Sequence, residues 1–320
     1  MAGETAGDPM SARKWVRSSL RTLSARLTAA GHPVSPPTVG RVLKDLDYTL
    51  HGNRKQVEAR AGHEDRAAQF TYIATQRATF TAAELPVISV DTKKKELVGN
   101  FKNAGQVWSR AATAVNVHDF RSDALGRAVP YGLYDPRHNR GTVAVGTSAD
   151  TPQFAVEMIA QWWETEGRAA YPRATALLLL ADGGGSNGCR PRCWKQQLQT
   201  RLCDHLGLTV TVCHYPTGCS KWNPVEHRLF GPISLNWAGI PLRTWDTVLN
   251  YLQGTTTTTG LTVRAFLHDQ VYRTGQQVSD AEMDALNLER HAVCPTWNYT
   301  LRPRAAPPAT PPPASREPIL

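Results

Sequence analysis

Three acidic residues stand where phosphodiester chemistry would need them. Asp182 follows the apolar run Ala176-Leu177-Leu178-Leu179-Leu180-Ala181 and opens into Gly183-Gly184-Gly185-Ser186-Asn187-Gly188. A carboxylate is thereby expected at the end of a buried strand, with glycines behind it that leave room for a bulky anionic substrate. Asp91 ends the strand-like run 85–90, and Glu226 lies in Lys221-Trp222-Asn223-Pro224-Val225-Glu226-His227, where Asn223 is expected to cap a helix that Pro224 opens. Breaking a phosphodiester requires a water or hydroxyl made nucleophilic near neutral pH, and stabilisation of charge on the leaving oxygen. Two Mg²⁺ ions about 4 Å apart supply both, with Mn²⁺ as a substitute, and such hard cations take oxygen ligands from Asp and Glu.

Each acid also has a plainer explanation. Glu226 could be the reciprocal partner of Asn223 in a capping box, Asp182 a turn residue before glycines, and Asp91 a hairpin stabiliser. Jointly the three settings favour a metal site. Lys93, Lys94 and Lys95 place positive charge beside Asp91, either as a grip on the phosphates of the scissile strand or as a solvated hairpin tip. Asp119 and Asp135 compete for the cage, and His214 and His227 are candidates to orient a leaving group, although structural histidines are commoner. The glycine run lacks the Gly-x-x-x-x-Gly-Lys and Gly-x-Gly-x-x-Gly patterns of nucleotide-phosphate loops.

These residues need a scaffold that collects strand ends at one edge. Strands are predicted at 85–90, 105–108, 114–118, 141–146, 176–181 and 208–212. Helices are predicted from a cap at Asp150 or Thr151 to Gly167, from Pro191 to about His205, and over 261–272. Ser279 with Glu282 forms a capping box for another helix, and the threonine run 255–259 reads as a loop or strand entry. Several strands followed by alternating helix and strand make an α/β fold with a mixed sheet, which suits an RNase H-like topology better than a wholly parallel one. From Asp182 to Glu226 there is room for one helix, one strand and the start of a second helix, a connection that can return the glutamate to the strand ends.

Residues 11–52 read as a small all-α helix-turn-helix module. Leu20, Leu23, Leu27 and Ala30 recur at helical spacing, Gly31-His32-Pro33 breaks the pattern, and Ser35 caps a second helix with Pro36 and Pro37 in its first turn. That places Val39, Val42, Leu43 and Leu46 inward and Thr38, Arg41 and Lys44 toward a DNA groove, with a short wing strand at 47–50. A generic basic helical hairpin is the alternative. Residues 53–84 form a charged helical linker, 85–302 the catalytic domain, and 303–320 a proline-rich tail expected to be disordered.

The 320 residues carry 36 Lys and Arg against 27 Asp and Glu, a formal charge of +9 that favours a polyanionic partner, nucleic acid first. No apolar stretch approaches the ~20 residues needed to span a bilayer and the start lacks a signal pattern, so a cytoplasmic, nucleoid-associated protein is expected. Six irregularly spaced cysteines read as free thiols rather than disulfides or a zinc site.

The segments Val87–Glu96, Val115–Phe120, Ala181–Gly188 and Ser220–Phe230 resemble the ISAzo-type, or Rhodopirellula-type, insertion-sequence transposases, and Asn223-Pro224-Val225-Glu226 is similar to the Asn-Pro-Ile-Glu of mariner-like transposases. The resemblance runs from about residue 5 to residue 302. It implies a DDE recombinase with an RNase H-like core that depends on Mg²⁺, cuts and transfers strands at the terminal inverted repeats of its own element, and assembles as a homo-oligomer on double-stranded DNA. Carried over residue by residue, the triad is Asp91, Asp182 and Glu226. Family members usually carry a further N-terminal DNA-binding module, whereas this chain starts close to its helix-turn-helix, so a shortened copy that regulates rather than transposes is the alternative expectation.

Overall fold

The computed structural model describes residues 5–7, 14–16, 19–48, 65–216, 218–219 and 222–305. The chain divides into two compact units, 1–59 and 60–320.

In the first unit, β1 (Thr5–Gly7) pairs antiparallel with β2 (Lys14–Val16). Helix α1 (Leu20–Ala29) is capped by Ser19, and α2 (Pro36–Asp45) by Ser35, whose Oγ accepts from Thr38 N as its type and position lead one to expect. Gly40 allows the Leu20 side chain to approach α2. Among the described residues of this unit only Leu23 and Val39 are buried; Leu43 is half-buried, and Val42 and Leu46 are 49% and 62% exposed rather than inward as expected. The physical reason is geometric: one short helix laid on another covers a single row of side chains, not a full apolar face. Arg41 and Lys44 are exposed, while the Thr38 hydroxyl is engaged with Ser35 Oγ and Arg41 Nη2. Asp47 follows α2 with a positive φ; the wing expected at 47–50 falls partly outside the described residues, as do residues 53–64 of the expected linker and 306–320 of the tail.

The second unit begins with α3 (Arg66–Ala82) and is built on one mixed sheet. Its strands are β3 (Val87–Thr92), β4 (Glu96–Val98), β5 (Gly126–Asp135), β6 (Arg140–Gly146), β7 (Ala176–Asp182), β8 (Thr209–Tyr215), β9 (Thr262–His268), β10 (Leu288–Arg290) and β11 (Asn298–Leu301). The helices between them are α4 (Pro152–Trp162), α5 (Arg168–Ala170), α6 (Arg192–Gln197), α7 (Gly231–Asn236), α8 (Trp245–Gln253) and α9 (Asp280–Asp284). The order across the sheet is β10-β11-β8-β7-β3-β5-β6-β9, with β4 on β5. Strands β3, β7 and β8 run parallel, and β5 runs antiparallel to both β3 and β6. This central five-strand order is RNase H-like.

Three hydrophobic clusters form the core among the described residues: one packs Val225, Leu229 and Phe230 against Val143 and Val145, and the other two meet β7 from its two faces. Leu177, Leu179 and Ala181 face a core with Phe154, Met158, Ile159 and Trp194, whereas Leu178 and Leu180 face Ile73 and Phe80 of α3. Burial on both faces explains why β7 reads as an unbroken apolar run. Helix α4 starts where expected, with Thr151 rather than Asp150 as its cap and Pro152 in its first turn. Helix α9 has the expected capping box between Ser279 and Glu282.

Three expectations fail. Residues 105–108 and 114–118 are not strands but parts of a long irregular connection between β4 and β5, in which Trp108 is fully exposed. The antiparallel partner of β3 is β5, whose Pro130 and Gly132 disguise it as a broken segment. Finally, 261–272 contains strand β9, not a helix: parallel pairing with β6 overrides local propensity.

Candidate active site

The two aspartates meet because of register. Val90 of β3 lies opposite Ala181 of β7 in parallel pairing, so Asp91 and Asp182, one residue further on, leave adjacent strand ends on the same face. Adjacent strands are about 4.8 Å apart. In each case the carboxylate Oδ1 accepts from the next backbone N–H, Thr92 N at 2.8 Å and Gly183 N at 2.7 Å. Their second oxygens carry no hydrogen bond among the described residues.

Glu226 is brought to the same face by a helix that starts at Pro224, passes through a π-helical turn Glu226–Phe230 and continues as α7. Asn223 does not cap this helix with its side chain, as expected from sequence. Instead Ser89, two residues before Asp91, accepts from Val225 N at 2.9 Å and donates to Asn223 Oδ1 at 2.5 Å, while Asn223 Nδ2 donates to Val90 O at 3.3 Å. The helix start is thus stitched to β3. The Glu226 carboxylate makes no capping-box hydrogen bond, which removes the plainer explanation for it. Gly132 and Gly141 let the helix lie against the sheet, since a Cβ at either would overlap Phe230 or Leu229.

Burial pushes the Asp91 carboxyl up to about 8; the Thr92 N–H opposes the shift, and the neighbouring Asp182, Glu226 and Asp150 carboxylates add to it. Asp182 is raised by burial against the Gly183 N–H, and Glu226 by burial and Asp182, with Lys93 opposing. Lys93 offsets only part of this acidic charge, and Lys95 is paired with Asp150. As they stand among the described residues, no three Asp, Glu, His or Cys side chains converge tightly enough to enclose an ion. The donor set nevertheless fits hard divalent cations: three carboxylates in one another's field, with unbonded oxygens. Two other polar groups nearby are orphaned. The buried Tyr131 hydroxyl, in the field of Asp91 and Asp150, and the buried Asn187 amide, in the glycine loop after Asp182, have no hydrogen-bond partner among the described residues.

The lysines separate into three environments. Lys93 is neither a phosphate grip nor a solvated tip: it is buried, its Nζ 3.6 Å from Glu96 and 4.6 Å from the centre of the Trp237 ring. Its burial follows from β3 and β5, because Lys93 N still donates to Pro130 O. Lys95 pairs with Asp150 at 3.1 Å, and Lys94 is exposed. Asp150 itself was legible in sequence only as a helix cap; in the fold it accepts from Thr92 Oγ1 at 3.1 Å beside the aspartates. Asp135 is excluded from the site, being at the opposite end of β5 where Tyr171 and His138 hold it. Asp119 is exposed in the long connection, His227 is exposed on its helix, and His214 is fully buried. All six cysteines are free thiols.

A family profile described as the Rhodopirellula transposase DDE domain matches residues 1–303. The chain belongs to this transposase family. No curated protein matches it in sequence. Among solved structures it is distantly similar to the Mos1 transposase paired-end complex with left transposon end, with TM-score 0.44 and 12% identity over 77% of this chain and 73% of that one. A second is the Mos1 mariner paired-end complex with Mn, at TM-score 0.44 and 13% identity over 73% and 65% of the two chains. No helix among the described residues is long and apolar enough to cross a membrane.

Proposed function

We propose that this chain cleaves and transfers DNA strands at the terminal inverted repeats of an insertion sequence, with Asp91, Asp182 and Glu226 holding two Mg²⁺ or Mn²⁺ ions. The observation that carries this reading is the in-register placement of Asp91 and Asp182 at adjacent parallel strand ends, with Glu226 delivered to the same face by a helix stitched to Ser89. When bound, the ions supply charge stabilisation and an activated water or hydroxyl. The protein's own part is positioning. Oδ1 of each aspartate is fixed by a backbone N–H, which leaves Oδ2 for a cation, and Lys93 balances part of the acidic charge near Glu226. The exposed Arg41 and Lys44 of α2 are assigned to duplex DNA, with Thr38 reduced to supporting Arg41. Lys94 is the one member of the lysine run left to meet phosphate. Assembly of more than one copy on paired DNA ends belongs to the same proposal.

The test is nicking of an end-containing duplex with Mg²⁺ or Mn²⁺ by purified Asp91→Asn, Asp182→Asn and Glu226→Gln proteins. Each is expected to lose cleavage and keep DNA binding, because the swap removes ligand charge with little change of shape. Undiminished nicking by Asp182→Asn overturns the assignment.

A further inference from the structure

Behind Asp182 lies a buried polar chain that the proposed chemistry does not use. Trp194, His214 and Tyr299 come from α6, β8 and β11, and all three are completely buried. Trp194 Nε1 donates to the Tyr299 hydroxyl at 2.9 Å, and the hydroxyl lies 3.0 Å from His214 Nε2. His214 Nδ1 in turn lies 3.0 Å from the main-chain oxygen of Asp182. The donors and acceptors allow one arrangement only. An indole N–H must donate and a carbonyl must accept, so the neutral His214 carries its proton on Nδ1 and accepts a hydrogen bond from the Tyr299 hydroxyl at Nε2. Every polar atom of the chain is then satisfied, which is what a buried network requires.

The end of the chain is the informative part. The Asp182 carbonyl and the Gly183 N–H belong to one planar peptide unit. His214 holds the carbonyl side of that plane, and the Asp182 carboxylate accepts from its N–H side. Any rotation of the plane therefore swings the carboxylate. The far side of the glycine loop is fastened from the same region: Lys195 donates to Cys189 O, and Cys189 N donates to Gly183 O at 3.4 Å.

We propose that Trp194, Tyr299 and His214 are positioning residues that lock the Asp182–Gly183 peptide plane and so hold the Asp182 carboxylate in place for a divalent cation. This rests on the metal-site reading above. Partners behind metal ligands typically change affinity by about 10–100-fold when removed.

The experiment is calorimetric titration of Mn²⁺ into the metal-free full chain. Tyr299→Phe deletes one oxygen and keeps the ring; His214→Leu removes both ring nitrogens; His214→Asn keeps an amide near the position of Nδ1. Tyr299→Phe and His214→Leu are expected to raise the Mn²⁺ Kd roughly 10-fold or more, and His214→Asn to recover part of the loss. Val156→Ala, in the same core but with no part in this hydrogen-bonded chain, is expected to lower Tm and leave the Kd unchanged. An unchanged Kd in Tyr299→Phe overturns the proposal, as does an equal loss in Val156→Ala. Tyr299→Phe decides the matter if His214→Leu fails to fold by circular dichroism. Asp91→Asn separates the two levels: if it binds Mn²⁺ like wild type, the metal-site reading itself fails and takes this inference with it. If Asp91→Asn loses binding while Tyr299→Phe keeps it, only the positioning role fails.

Discussion

Ser89 is completely buried and makes two of the three hydrogen bonds that stitch β3 to the start of the helix bearing Glu226. Ser89→Ala leaves Asn223 Oδ1 and Val225 N–H without this partner, a loss of about 1–3 kcal/mol for a buried unsatisfied group. We expect urea denaturation to show that loss and nicking to fall with it, because Glu226 is no longer tethered. The lysines make the opposite point about appearance in sequence. Lys94→Gln changes an exposed side chain and should shift stability by no more than about 0.5 kcal/mol, whereas Lys93→Gln removes the buried partner of Glu96 and should lower Tm clearly. Equal Tm values for the two variants would count against the buried environment of Lys93. The three acids stood out in sequence because Asp91 and Asp182 each follow an apolar run and precede lysines or glycines, and Glu226 follows Asn223-Pro224. Ser89 did not: a serine inside a strand looks the same whether it faces a helix start or water.

At the level of elements, the contact of the Glu226 helix with the sheet depends on Gly132 of β5 and Gly141 of β6. Gly141→Ala forces a methyl into Leu229, an overpacking that typically costs about 1–3 kcal/mol. The expected outcome is a lower Tm together with reduced nicking, since the helix must move off the strands. Combining it with Leu229→Ala should give less destabilisation than the sum of the single changes, because the methyl and the isobutyl group compete for one space. Strict additivity would show that the two do not touch. These glycines also explain what sequence reading missed. Gly132 and Pro130 break the apparent β pattern of β5, yet the glycine is there because a helix packs on it, and the proline still accepts from Lys93 N. Conversely, Val107, Trp108, Val115 and Val117 have strand-forming side chains but no neighbouring strand to pair with among the described residues. Where an element is decided by its own residues, as in β7, α4 and α9, it was readable; where it is decided by a partner distant in the chain, as in β5 and β9, it was not.

At the scale of the whole molecule, the charge of +9 and the exposed Arg41 of α2 predict electrostatic binding of duplex DNA. Fluorescence anisotropy in rising salt should show a steep loss of affinity through counterion release. Arg41→Ala should weaken binding and reduce the logarithmic salt slope by about 1 if the residue meets one phosphate. An unchanged slope and affinity would make the two-helix unit a structural hairpin.

Crowding acidic side chains at the ends of β3 and β7 also sets chemistry against folding. In metal-free solution burial, and after it the acidic neighbours, disfavour the charged Asp91 carboxylate, so Asp91→Asn should raise the Tm of the apoprotein, by about 2–4 °C for each kcal/mol relieved. Added Mn²⁺ should narrow the gap by stabilising the wild type alone. A lineage of such genes copied without selection for movement would therefore find mutations at the acids not merely tolerated but rewarded with a sturdier fold. On the proposed function, decay of such an element would begin at its metal ligands.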